Sequence, residues 1–117
     1  MICLPLPPSA NNLFATDKKT GRRFPVPEYK AWRTEAGYKI KQSMRVHGWA
    51  EIFIHVPASM RGDIDNRIKP ILDLMVEHGC IDDDKWAWRI VIERSHSIEK
   101  NKCGVSWWGA NHEAKGK

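Results

Sequence analysis

Asp63 and Asp65 stand one residue apart, Lys69 lies four residues beyond Asp65, and Asp83-Asp84 arrives later, behind an apolar stretch. On an extended segment, side chains two residues apart point the same way, so Asp63 and Asp65 can reach one cation. Lys69, one helical turn after Asp65, can bring an ammonium toward the same place. If Asp83 and Asp84 return to it, three or four carboxylates make an oxygen-rich site of the kind that Mg²⁺ or Mn²⁺ takes and zinc does not. An ion held there can carry a hydroxide, polarise a phosphoryl oxygen and stabilise a leaving 3′ oxygen. Lys69 can add positive charge against the transition state or orient the attacking water. The corresponding chemistry is hydrolysis of a phosphodiester without a covalent enzyme intermediate. An isolated Asp-x-Asp is a common cap and turn sequence, and the longer string is what lifts this one above solvated surface.

These residues need elements to hold them. Residues 2–6 read as a short strand stopped by Pro5, Pro7 and Pro8, followed by a long polar connection reaching Pro27, with a strongly basic loop over 15–27. From Glu28, Tyr29, Trp32, Ala36 and Ile40 recur at helical spacing, and the helix is expected to stop at Gly48. Residues 51–56 predict a strand with Ile52, Ile54 and Val56 on one face. Ile64, Ile68, Ile71, Leu72, Met75 and Val76 predict an amphipathic helix ending at Gly79, regular from about Arg67 and preceded by a turn or kink, because Pro70 conflicts with an earlier start. Trp86, Trp88, Ile90 and Ile92 alternate as a strand. Residues 95–102 then lead to a last strand over 103–108, most simply as a hairpin, and the tail from 109 to 117 is polar and expected to be loose. The order β-α-β-α-β-β implies one α+β domain over residues 1–117, a single mixed sheet with helices packed on it. For Asp84 to reach Asp65, the strand at 86–94 must run beside the strand at 51–56, since the helix between them ends far from where it began.

The 117 residues carry a net charge of +5, unevenly placed. Residues 17–45 hold nine basic and three acidic side chains, whereas residues 61–85 hold four basic and seven acidic, including six of the seven Asp in the chain. Carboxylates repel a phosphate backbone, so basic flanks around an acidic centre suit a nucleic-acid protein only if a divalent cation offsets the repulsion. Lys18, Lys19, Arg22 and Arg23 are then candidate DNA contacts, or otherwise a solvated loop. The three Cys are too few and too scattered for a disulfide framework or a four-ligand zinc site. An EF-hand fails because Arg67, Ile68 and Leu74 occupy positions that need an oxygen ligand, Gly and Glu. There is no P-loop, no His-Glu-x-x-His and no nucleophile elbow. No apolar run is long enough for a membrane span and the Pro-broken start is no signal peptide, so a cytoplasmic location is expected. His55 reads as a structural histidine on a strand, and Asp73 either pairs with Lys69 or orients it.

Asp63-Ile-Asp-Asn-Arg-Ile-Lys69, Leu72-Asp73, Gly79 and Asp83-Asp84 resemble the RusA family of Holliday-junction resolvases. The likeness extends to Leu4-Pro-Leu-Pro-Pro-Ser9 with Asn11 or Asn12, and to Tyr29 with Trp32, covering about residues 2–94. It implies that Asp63, Asp65, Lys69 and Asp84 carry catalysis, that Asp83 joins Asp63, Asp65 and Asp84 around Mg²⁺ (or Mn²⁺), that Arg61 and Arg67 meet DNA, and that Asn66, otherwise a helix-start residue, meets a DNA phosphate or the metal's shell. It also implies a homodimer, a four-way DNA junction as target, and a bacterial or prophage setting. Asp82-Asp83-Asp84 leaves the register open by one position, although the spacing from Asp65 favours Asp84. Met60-Arg61-Gly62 departs from the pattern in offering one basic residue just before Asp63. A dimer makes physical sense because a junction has two strands of like polarity to nick. Trp86, Trp88, Trp107 and Trp108 are candidate interface residues, with core packing the competing role. The readings from other classes are a branched-DNA-binding protein in which the carboxylates are structural, and a nuclease for other structures such as flaps.

Overall fold

A computed structural model of the chain describes residues 1–110. Strands β1 (Ile2–Pro5), β2 (Phe14–Thr16) and β3 (Arg23–Pro25) precede helix α1 (Pro27–Ile40); β4 (Ala50–Pro57), α2 (Ile68–Glu77), β5 (Ala87–Ser95) and β6 (Lys102–Gly109) follow. The architecture is α+β, with a four-stranded mixed sheet in the order β1-β6-β4-β5. β4 pairs parallel with β5 and antiparallel with β6, while β6 pairs antiparallel with β1.

Strand alternation decides which face is covered. Ile52, Ile54 and Val56 of β4, Cys103, Val105 and Trp107 of β6, and Leu4 of β1 join one core with Tyr29, Trp32, Ala36 and Ile40 of α1 and Ile71, Leu72, Leu74 and Met75 of α2. Both helices therefore cover the same face of the sheet. On the other face Phe53 stacks on Trp108, with Arg89 over the Phe53 ring. The Trp32 indole N–H donates to Pro5 O at 2.7 Å, tying α1 to the end of β1. Pro70 is the third residue of α2 and is buried, so it falls within the first turn, where its missing N–H costs nothing. The turn expected before that helix is a 3-10 turn over Ile64–Arg67.

Four expectations need correction. The polar connection before α1 contains a second small sheet: β2 and β3 form a hairpin in which the Asp17 and Gly21 amides donate to Arg22 O and Asp17 O, and Asp17 Oδ1 accepts from the Lys19 amide. The tip, residues 17–22, is too polar and the strands too short to show apolar alternation. Helix α1 stops at Ile40, well short of Gly48, because Val46 is pulled into an extended bridge with Ile81. β5 and β6 are not a hairpin, since β4 lies between them. The last strand runs through Gly109, and Ala110 is buried with its amide bonded to Trp49 O at 2.9 Å, so the loose tail does not begin at 109; residues 111–117 lie outside the described residues. Of the four Trp proposed for an interface, Trp107 is core, Trp86 packs edge-on against Trp49 within the molecule, and Trp88 and Trp108 remain exposed. No described helix is long and apolar enough to cross a membrane.

Candidate active site

The segment between β4 and α2 carries most of the candidates, and one residue from another strand holds it in place. Gly62 has φ +88°, a conformation that β-carbon-bearing residues rarely adopt. Arg94, on β5, donates from its guanidinium to Ala58 O at 3.3 Å, to Gly62 O at 3.0 Å and to Met60 O. Three carbonyls of the turn leading into Asp63 are thus pinned by one side chain. Arg94 was not legible as functional in the sequence; its nearest signal is a basic residue on an apolar strand face, in register with Val56.

Asp63 is extended, with φ −78° and ψ 132°, and ends that run. Asp65 already belongs to the 3-10 turn, so the extended spacing that was to aim both carboxylates together does not hold. Asp65, Lys69, Asp73 and Asp84 line one groove of about 350 Å³, with Ile68 and Leu72 as its apolar floor, and Asp63 is not among its lining residues. Lys69 Nζ lies 3.2 Å from Asp73 Oδ1, an i,i+4 pair on α2. Asp83 and Asp84 line an adjoining cleft with Tyr29, Arg33 and Asp73.

The three consecutive aspartates divide by partner. Asp82 accepts from the Gly48 amide at 2.8 Å and meets His47 Nδ1 at 3.0 Å, and these two contacts hold its carboxyl below the usual range. It is a fastener between the β4 approach and the β5 approach. Asp83 caps the following 3-10 turn through the Lys85 amide. The neighbouring Asp83 and Asp84 carboxyls titrate as a pair that shares one proton, Asp83 held low by Asp84 and by the Lys85 amide and Asp84 raised by Asp83. Of the triple Asp, it is Asp84 that faces the groove holding Asp65.

The expected cage of Asp63, Asp65 and Asp84 is not formed. Among the described residues, no three His, Cys, Asp or Glu side chains are gathered to hold a metal ion. The groove runs from Asp65 in the 3-10 turn along α2 to Asp73, and Asp84 meets it on the α2 side, where it feels Lys69 and Asp73. The donor chemistry still suits a hard cation. Asp65 and Asp84 are exposed carboxylates of one groove, and Mg²⁺ is ordinarily held by one or two carboxylates with water and substrate phosphate rather than by an all-protein cage.

The basic candidates fall into two groups. Lys18, Lys19 and Arg22 sit exposed at the tip of the β2–β3 hairpin, and Arg23 lies over the Phe14 ring at 4.5 Å. Arg61 is exposed, Asn66 is half-buried, and Arg67 is half-buried with Nη1 donating to Pro7 O. Burial lowers the Arg67 pKa.

A two-layer α+β domain with acidic and lysine side chains along an open groove, flanked by basic segments, has the makings of an enzyme acting on phosphodiesters. The sequence profile described as Endodeoxyribonuclease RusA matches residues 5–106, and the chain belongs to that family. Membership indicates an endodeoxyribonuclease. No curated protein matches the chain significantly.

Proposed function

We propose that the chain is a Mg²⁺-dependent resolvase that cuts four-way DNA junctions by paired, symmetric phosphodiester hydrolysis as a homodimer. The observation that carries this reading is the groove in which Asp65, Lys69 and Asp84 meet in a chain of this family. Asp65 and Asp84 would hold Mg²⁺ or Mn²⁺, with Asp83 beside Asp84, and the bound ion would polarise the phosphoryl oxygens and lower the pKa of water. Lys69 presents its ammonium to the negative charge that grows on the phosphoryl group, and Asp73, 3.2 Å away, orients it. Arg94 fixes the turn from which Asp63 and Asp65 emerge. Lys18, Lys19, Arg22, Arg23, Arg61, Asn66 and Arg67 contact the DNA, and two-fold symmetry supplies the second cut.

The test is incubation of the protein with a synthetic four-way junction, with and without Mg²⁺, beside flap and linear duplex at equal concentration. Paired nicks at symmetric positions, only with the metal, are expected. A gel shift without product under any divalent metal leaves a junction-binding protein, and preferential cutting of the flap reassigns the substrate.

A further inference from the structure

A second cavity, of about 460 Å³, is lined by Arg61, Arg67 and Lys100, with Ser59 and Asn101 beside them and no carboxylate. Its walls come from three parts of the chain. Arg94 pins the turn that carries Ser59 and Arg61. Arg67 is tied to Pro7 O, and Leu6 donates its amide to Asn101 O at 2.9 Å, which fastens the β5–β6 connection to the start of the chain. Asn101 takes a left-handed φ of 66°, and Lys102 N bonds Glu99 O at 3.1 Å, so the tip that presents Lys100 is a formed turn.

The charges in this cavity are uncompensated. None of the three cations makes an ion pair with a described carboxylate, and the Nε of Arg67 is buried without a hydrogen-bond partner. Three cations lining one cavity with no carboxylate in its walls call for an anion with several acceptor oxygens. The position in the chain says which anion: Arg61 stands two residues before Asp63, and Arg67 two after Asp65. We infer that this cavity is a phosphate subsite for the DNA strand being cut, holding a backbone phosphate that flanks the scissile one, with Lys100 as its specific contributor from the β5–β6 connection. The inference rests on the proposed nuclease function and deepens it. The phosphate fixes the strand's register across the acidic groove, where the carboxylates alone would repel it.

Lys100 makes no hydrogen bond to the described residues and is exposed, so Lys100→Ala leaves the fold intact, which a thermal melt verifies. Junction binding without divalent metal, titrated over salt, is expected to weaken for Lys100→Ala, with the log–log salt slope reduced by about 0.9, and to be retained in Lys100→Arg. Replacing single phosphates near the cut by neutral methylphosphonates should reveal one position whose neutralisation weakens wild-type binding and costs Lys100→Ala nothing more. Unchanged affinity and slope in Lys100→Ala, or a methylphosphonate penalty that persists in full in the variant, overturns the subsite and leaves the nuclease reading standing. Wild-type protein that binds no DNA removes the function on which the subsite depends.

Discussion

Lys69 and Asp73 show how a single pair can serve both a helix and a site. At 3.2 Å on the exposed face of α2 they are an ordinary i,i+4 ion pair, worth a few tenths of a kcal/mol to the helix, yet both line the groove with Asp65 and Asp84. Lys69→Ala is accordingly expected to leave the melting temperature nearly unchanged while slowing junction cleavage by about 10²–10³-fold, more than it weakens binding. Asp65→Asn and Asp84→Asn should each abolish cleavage and keep or strengthen junction binding, because a negative charge facing phosphate is removed; normal cutting by either variant would remove that residue from the site. Arg94 acts one step further back. Its Ala variant gives up three bonds to carbonyls, which costs about 1–2 kcal/mol at this exposed position, or roughly 4–8 °C in melting temperature. Cleavage measured well below that temperature should still fall, and Arg94→Lys should restore little of it, since one ammonium cannot span three carbonyls as a planar guanidinium does.

At the scale of elements, the β2–β3 hairpin and the parallel pairing of β4 with β5 do different work. The hairpin is a projection whose tip holds Lys18, Lys19 and Arg22, anchored below by the buried Leu13 and by Phe14 packed edge-on to Tyr29 at 5.6 Å. Replacing the tip cations together with Arg23 by Ala should weaken junction binding and flatten its salt dependence by about 0.9 in log slope for each phosphate that is no longer neutralised; a slope equal to wild type would take the hairpin out of the interface. The β4–β5 pairing, from Ala50 with Ala87 to Pro57 with Ser95, is what carries Arg94 back to the turn before Asp63. It also delivers Asp84 to the flank of α2, while the hydrogen bonds of Asp82 to His47 and Gly48 fasten the start of β5 to the start of β4.

Over the whole molecule, one core on one face of the sheet leaves the three thiols in distinct settings. Burial pushes Cys103 up to about 12 and raises Cys80, so both remain protonated near pH 8, whereas Cys3 is exposed on the opposite face of β1. Alkylation of the native protein at pH 8 is expected to label Cys3 rapidly, with Cys80 and Cys103 reacting only at the rate of unfolding. Rapid labelling of all three would contradict a closed core around Cys80 and Cys103. With the thiols reduced and scattered, stability rests on packing: Leu4, Ile40, Ile52, Ile54, Ile71 and Val105 are completely buried.

Local pattern alone determined much of this protein. Helix α1 and its buried stripe, the inward face of β4, the turn before α2 and the Asp63-to-Lys69 string follow from periodicities of two and 3.6 and from the constraint of proline, all of which act between near neighbours. The same patterns could not reveal the partner of each strand. β6 joins β4 instead of β5 because pairing is chosen by the shared core, and the short polar strands of the hairpin carry no alternation to read. Tertiary structure alone decided that Asp82 is a fastener, that Asp63 stands apart from the groove lined by Asp84, and that Arg94 and Lys100 reach the segment around the aspartates. Each of these depends on residues distant in sequence being brought together by a sheet register and helix packing that no short stretch of chain encodes.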